Sequence, residues 1–453
     1  MIPLSSDRAA SGPAGRGSPA PSDRSGASRL FRSRGVWLAL LLGLVVRLVV
    51  VSLVDYRFDA GDAAGYDRIA VNVVEHGVYS LDTAAPYRPT VVRAPLLPLS
   101  AAAIFAMFGH QYRAWQALQI VLSIATALLL FGALRRAAPA LAWPAFLLAL
   151  LSPFDALYTG ALLAETLTTF FLVAAVCLPW YRFRGCWLAA GACAGAAALG
   201  RDVYMLLPFA LAGAVMIVPP APMSARRRAA SAGALLLGAV LAIAPWTARN
   251  YAVSGHFIPI SKGVMGVTLW VGSWARNGDW QTSGDPAFPP EAYRFGGRAL
   301  VEKTWRAPDQ TRDSVFRRLA MEHYTRQPGA VARAWVTRYP RMWVGTRYEL
   351  FSFRPEPLAP GRPLWVAVKG GLFVLNALVL AAALAGAVIL LRRRWPSLLW
   401  LAAPVLYNAL IYVPFHNSET RYSQPVYPLL LILAAAAWVA VQNRWRAARP
   451  VAV

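Results

Sequence analysis

The chain has 453 residues, 57% of them hydrophobic and only 15% charged, with a mean hydropathy of +0.45. That composition excludes a soluble globular protein and supplies many runs long enough to cross a bilayer. The formal net charge of +24 does not indicate nucleic acid, because the arginines come in short blocks between apolar runs, as expected of cytoplasmic loops.

Residues 1–34, rich in Ser, Gly, Pro, Ala and Arg, read as a disordered cytoplasmic tail. The long apolar segment behind them lacks a small-residue cleavage site, so no cleavable signal is expected. Apolar segments follow near 36–54, 114–134, 141–154, 162–180, 186–200, 203–219, 229–247, 364–391, 397–415 and 425–441. Basic blocks alternate with them: Arg32/Arg34, Arg135/Arg136, Arg182/Arg184, Arg226 to Arg228, Arg392 to Arg394, and Arg444/Arg446/Arg449. If every block is cytoplasmic, an even number of spans must separate neighbouring blocks; the ten segments satisfy this with both termini inside. The stretch "APLLPLSAAAIFAMFG" at 94–109 is short for a span and would break the alternation, so it is expected as a re-entrant or interfacial helix on the outer side. An eleventh span is the alternative.

The expected protein is therefore an all-α polytopic membrane protein with both termini cytoplasmic. An N-terminal transmembrane module at 35–249 contains a first outer loop at 55–112. A periplasmic loop or lid at 250–363 follows, then C-terminal spans at 364–443 and a cytoplasmic tail at 444–453. Within the lid, 298–345 reads as helical and 273–290 as irregular loop, without an independent core. Cys177, Cys186 and Cys193 lie in or beside spans with no CxxC pattern, which suits packing and not disulfides or metal.

The same parity places nearly every carboxylate on one face. Asp7 and Asp23 lie in the tail, while Asp55, Asp59, Asp62, Asp67, Glu75 and Asp82 fill the first outer loop. Asp155, Glu165, Asp202 and Glu419 sit at the outer ends of later spans, and the remaining nine lie between Asp279 and Glu356. Chemistry is expected on that face.

Six stretches there carry the candidates. In "FDAGDAAGYDR" at 58–68, Asp59, Asp62 and Tyr66 would share one face of a short helix, with Asp67 turned away. A carboxylate near a low-dielectric boundary can act as a general base; a solvated helix start with Asp as N-cap is the other reading. Arg88 and Arg93 in "YRPTVVRAPLLP" bracket the segment at 94–109, where a lipid phosphate would lie, or else snorkel to headgroups. Asp155, Tyr158 and Glu165 mark an outer turn, and Glu165 enters an apolar run where it should not face lipid. Arg201 beside Asp202, and Arg249, stand at later outer ends, with a local ion pair and interfacial anchoring as the plainer readings. In "FHNSETRYSQPVYP", His416, Glu419, Arg421 and Tyr422 gather where the chain re-enters the membrane.

Six stretches, in order, resemble the GT-C glycosyltransferases, specifically the protein O-mannosyltransferase and aminoarabinose-transferase-like group. They are "GDAAGYDRIAVNVVEHGVYS", "RAPLLPLSAAAIFAMFG", "LSPFDALYTGALLAETLTTFF", "GRDVYMLLP", "APWTARNYAVSGHFIPIS" and "SETRYSQPVYPLL", within about residues 36 to 441. The resemblance implies a GT-C-like helix bundle with juxtamembrane helices, a polyprenyl-phosphate sugar donor, and transfer on the periplasmic side. It assigns the catalytic carboxylate to Asp62, donor phosphate to Arg421 and Tyr422, and the Glu of the fourth span to Glu165. Relatives often carry a second acid after that Asp, where this chain has Ala63. A divalent cation therefore remains an open expectation with no ligand set assigned, and no metal residue is named. The expected reaction is inverting transfer of a sugar to a hydroxyl of a lipid, glycan or protein. A transporter or flippase, or a non-catalytic subunit of envelope glycan assembly, are the alternatives. The sequence shows no internal repeat, and its charges gather at the outer ends of the spans, which disfavours a transporter.

Overall fold

The computed structural model describes residues 33–263, 265–275, 288, 290–307, 309–415 and 419–448. The bundle is built from α1 (Arg34–Leu53), α2 (Gly61–His76), α3 (Leu96–Phe108), α4 (Tyr112–Ala137), α5 (Pro139–Leu151), α6 (Pro153–Leu157), α7 (Glu165–Tyr181), α8 (Cys186–Gly200), α9 (Leu207–Ile217) and α10 (Ala225–Ser254). After an intervening segment with α11 (Met265–Trp274), α12 (Gly297–Trp305), α13 (Asp309–Arg326) and α14 (Pro328–Arg338), the bundle resumes with α15 (Pro363–Arg392), α16 (Leu398–Ile411) and α17 (Tyr427–Ala448). Strand is confined, among the described residues, to β1 (Val54–Asp55) and β2 (Ser352–Phe353), paired antiparallel with Val54 opposite Phe353.

The ten apolar segments all fall on helices, but of unequal length. Five helices are long and apolar enough to cross a membrane, or six if the pair bent by 43° at Ser152 counts as one broken span. The others (Glu165–Tyr181, Cys186–Gly200, Asp202–Ile217 and Leu398–Ile411) are shorter. Even the longest of these, with 17 residues, rises only about 26 Å, against roughly 30 Å of hydrocarbon. Among the described residues, five or six helices thus reach the length of a full span, and the other expected segments fall on shorter apolar helices. α3 has 13 residues, a rise of about 20 Å, and cannot reach across.

The bundle closes through small residues, which let backbones approach where apolar surface alone gives no preference between lipid and protein. A Cβ on Gly191 of α8 would lie 1.8 Å from the Leu235 carbonyl oxygen of α10, and one on Gly238 of α10 would lie 2.0 Å from the Leu188 carbonyl oxygen. Gly386 makes the same close approach between α15 and α17, 1.8 Å from the Leu433 carbonyl oxygen. Inside α1, Arg47 is fully buried and satisfied: it donates to Ser123 Oγ at 2.8 and 3.1 Å, to the Gly43 carbonyl at 2.9 Å and to the Leu150 carbonyl at 2.8 Å. That arginine ties three helices together.

The segment between α10 and α15 does have a core of its own, contrary to the sequence expectation. Trp270 and Trp274 of α11 pack with Phe288, Ala292, Val301 and Phe316 in a cluster separate from that of the bundle. The Trp270 and Phe316 rings stack at 4.3 Å, and Gly266 lets α11 sit against the Asp313 backbone of α13. The aromatics of this hydrophilic stretch thus bury one another. Most of the stretch expected as irregular loop, 276–287, lies outside the described residues.

Candidate active site at one end of the bundle

α2 begins at Gly61, whose φ of +59° suits glycine, and stops at Gly77 in the left-handed region. Ile69 and Ala70 bury one face of α2, which packs on α3, and Asp62 stands in the first turn, where the helix dipole favours a carboxylate. Because the helix starts after Asp59, the expected shared face of Asp59 and Asp62 does not form. Asp59 instead pairs with Arg57 at 3.3 Å in solvent. Asp67 does turn away from Asp62 and pairs with His110 Nε2 at 2.7 Å.

Each oxygen of Asp62 is held by a different arginine. Arg93 Nη1 donates to Oδ1 at 2.8 Å, and Arg421 Nη2 donates to Oδ2 at 2.8 Å. Arg421 Nε lies 3.2 Å from Glu165 Oε1, and Arg201 Nη1 lies 3.5 Å from the same oxygen. The Tyr422 ring lies beneath both cations, with the Arg201 and Arg421 guanidinium carbons 4.9 and 5.0 Å from its centroid. Tyr66, one turn after Asp62 on α2, supports Arg93 in the same way at 5.3 Å. Three arginines and two carboxylates so converge from α2, the segment before α3, the start of α7, the end of α8 and the short 3-10 helix Thr420–Val426.

Charge and burial act in opposite directions on Asp62. Burial by itself would push its carboxyl up, but the guanidiniums of Arg421 and Arg93 more than offset that and hold it well below the usual carboxylate range. Glu419, just before Thr420–Val426, is raised above its ordinary value, chiefly by burial and secondarily by Asp62, Glu165 and Glu349, against the pull of Arg421. Several polar atoms here are buried without a geometrically good hydrogen bond among the described residues: Arg93 Nε and Glu165 Oε2 have none, and Arg201 Nη1 and Arg421 Nε reach Glu165 Oε1 only as ion pairs. Native proteins leave few such atoms, and their concentration at one point marks capacity for a charged ligand.

The remaining candidates have other places. Arg88 is exposed and pairs with Asp82 at 3.6 Å. Arg249 donates to the Thr90 carbonyl at 2.6 Å and lies over the Tyr79 and Trp246 rings. Since the Tyr79 hydroxyl donates to the Arg93 carbonyl at 3.0 Å, Arg249 supports the segment that aims Arg93. Tyr158 is buried against Phe351. Arg201 and Asp202 do not form the local pair that adjacency suggested: Asp202 accepts from Ser261 Oγ at 2.5 Å, while Arg201 turns inward to Glu165. His416 lies outside the described residues.

Sequence reasoning missed the residues that hold Arg421 in place. Arg347, 1% exposed, donates to Gln424 Oε1 at 3.0 Å, Ser423 Oγ at 3.1 Å and the Thr420 carbonyl at 3.2 Å, and covers the Tyr427 ring at 4.1 Å. Glu349 accepts from Thr420 Oγ1 at 2.7 Å, and Gln424 donates to Asp155 at 2.7 Å. "TRYEL" at 346–350 looked like any polar stretch of the lid. Its one local signal was an arginine and a glutamate two positions apart before an apolar run.

Among the described residues, no group of three or more His, Cys, Asp or Glu side chains is placed to hold a metal ion. Of the two carboxylates at the centre, Asp62 already gives both oxygens to arginines and Glu165 faces Arg201 and Arg421. This donor set does not fit a divalent cation, and no step below is routed through one.

Taken together, the helices define an all-α multi-pass membrane protein with a buried ionic cluster at one bundle end. Two crystal structures of the Archaeoglobus fulgidus oligosaccharyltransferase share that architecture. One, in complex with Zn and sulfate, matches at a TM-score of 0.51 and 12% identity over 90% of this chain and 49% of that one. The other, tethered with an acceptor peptide containing the NVT sequon, matches at 0.51 and 13% over 93% and 52%. The chain thus spans about half the length of the oligosaccharyltransferase. ArnT from Cupriavidus metallidurans in the apo state is also similar, at a TM-score of 0.35 and 16% identity over 89% of this chain and 77% of that one. No protein-family model matches the sequence. No curated protein matches it either.

Proposed function

We propose that this chain is a membrane glycosyltransferase that moves a sugar from a polyprenyl-phosphate donor to a hydroxyl of a lipid, glycan or protein acceptor on the periplasmic side of the inner membrane. The observation that carries this reading is the clamp on Asp62, each of whose oxygens is bonded at 2.8 Å by a separate arginine. A structural ion pair needs one partner. Two converging forks on one acid, backed by Arg201 and Glu165, form a site whose cations suit a phosphate and whose acid suits a hydroxyl proton. The GT-C-like fold supports the reading.

In the proposed step the acceptor oxygen forms a bond to the anomeric carbon as the bond from that carbon to the phosphate oxygen breaks. The electron pair leaves on polyprenyl phosphate, and the acceptor proton passes to Asp62. One displacement inverts the anomeric configuration. Arg93, Arg201 and Arg421 stabilise the charge gathering on the leaving phosphate.

The clamp adds a control. With both arginines bonded to it, Asp62 has too little proton affinity to act as a base near neutral pH. The donor phosphate competes for the same guanidiniums, so its arrival loosens the clamp and raises the proton affinity of Asp62. Base strength is thereby tied to the presence of donor.

The test is mass spectrometry of glycolipids and glycoproteins from a deletion strain, complemented with the wild-type or the Asp62→Asn chain. Loss of one hexose or pentose, restored by wild type and not by the variant, is expected. Restoration by a well-expressed Asp62→Asn chain refutes the assignment.

A further inference from the structure

A second site lies beside α2, on the flank of the bundle. α1 and α4, both long and apolar enough to cross a membrane, line a groove of about 640 Å³. This is within the volume range of small-ligand pockets. Its lower walls are Leu48 and Val51 of α1 and Ala117 and Ile120 of α4. Its inner edge carries the Phe58 and Tyr112 rings, stacked at 4.0 Å. The upper lining changes character to His110, Gln111, Arg113, Gln116 and Arg354.

Arg113 and Arg354 are both exposed, and neither has a carboxylate within ion-pair distance among the described residues. Of the aspartates near this rim, Asp59 is paired with Arg57 and Asp67 with His110, while Asp55 of β1 lies beyond ion-pair distance of both arginines. Arg354 comes from the far segment and is brought over the groove by main-chain pairing. Its N–H donates to the Leu53 carbonyl at the end of α1 at 2.8 Å, next to the Val54 and Phe353 pair of the two short strands. The fold thus places two guanidiniums without an ion-pair partner at one end of an apolar cleft lined by two candidate spanning helices.

We propose that this groove binds an anionic phospholipid, with an acyl chain between α1 and α4 and the phosphate between Arg113 and Arg354. The chemistry on the two levels selects that occupant: hydrocarbon walls with a doubly cationic rim match a lipid phosphate in charge and in depth, whereas a zwitterionic headgroup offers no net charge to the rim. The site is separate from the Asp62 clamp and stands whether or not the chain transfers sugars.

The test is native mass spectrometry of the full chain released from nanodiscs of equal phosphatidylglycerol and phosphatidylcholine. Wild type should retain phosphatidylglycerol preferentially. The Arg113→Ala/Arg354→Ala double variant should lose the preference by about 30-fold, from roughly a factor of five per arginine near a lipid surface. Ile120→Trp, which fills the cleft and leaves both arginines, should lose retention of the lipid as well. Asp62→Asn, which leaves the groove untouched, should retain it. Equal retention of the two lipids by wild type overturns the proposal, as does an unchanged preference in the double variant. Displacement of the lipid by millimolar inorganic phosphate would show a headgroup-only anion site and overturns it too.

Discussion

The Asp62→Asn substitution separates the proposed base from a merely structural acid, because it should move binding and chemistry in opposite directions. In the wild type a donor phosphate must share or replace two charge-assisted bonds of 2.8 Å from Arg93 and Arg421. Such bonds contribute about 1.5–3 kcal/mol each. The carboxamide keeps the shape but loses the charge, so the arginines are released more easily. A gain of about 1–2 kcal/mol, or roughly 5- to 30-fold tighter binding of a polyprenyl phosphate, is expected. The transfer rate should fall by about 10²–10⁴-fold, the usual contribution of a positioned general base. Binding is read by titrating polyprenyl phosphate into the purified full chain in nanodiscs, following intrinsic tryptophan fluorescence. Transfer is read by mass spectrometry in the complemented deletion strain. Unchanged or weaker phosphate binding by a folded Asn variant would refute the competition argument even if transfer were lost. Retained transfer would refute the base. The pH arm has a definite sign: a carboxyl held low contributes stability above its unfolded value of about 3.9, lost only as pH falls through the lower folded value. The ligand-free protein should therefore show no titration of Asp62 between about pH 5 and 8.

Arg347→Ala should lower transfer through Arg421 without touching substrate: the donor KM rises, stability drops by about 1–3 kcal/mol as buried acceptors lose their donor, and Arg347→Lys restores only part because it lacks the fork. A KM equal to wild type in the Ala variant would show that the loop holds itself. Glu419→Gln tests the other perturbed acid. With a raised folded value, Glu419 contributes most to stability below its unfolded value of about 4.3 and loses that contribution as pH rises through the folded value. The Tm difference between the Gln variant and wild type should therefore narrow on acidification, and a constant difference from neutrality down to pH 4 would count against it. Gly191→Val should separate α8 from α10, since even a Cβ would meet the Leu235 carbonyl oxygen at 1.8 Å; a Tm within a degree of wild type would mean the seam can open freely.

The sequence by itself determined that the chain is a helical membrane protein and where its helices run, because hydrocarbon admits only long apolar segments with internally satisfied backbones. It also led to the expectation that the acids share one face, and Asp62 and Glu165 do meet at one end of the bundle. Asp62, Arg93, Glu165, Arg201, Arg421 and Tyr422 could all be named as candidates from their place at span ends. Their joining could not. Which arginine bonds which acid depends on contacts across more than three hundred residues, such as Arg421 to Asp62, and no local periodicity encodes those. The tertiary structure alone decided that α2 starts after Asp59, that Arg201 turns to Glu165 instead of Asp202, and that Arg347 and Gln424 hold the loop behind Arg421. It also decided that the aromatic-rich segment after α10 makes its own core. Each of those outcomes turns on which side chains meet once the helices pack, and packing is set by the small-residue seams and buried polar ties between helices distant in sequence.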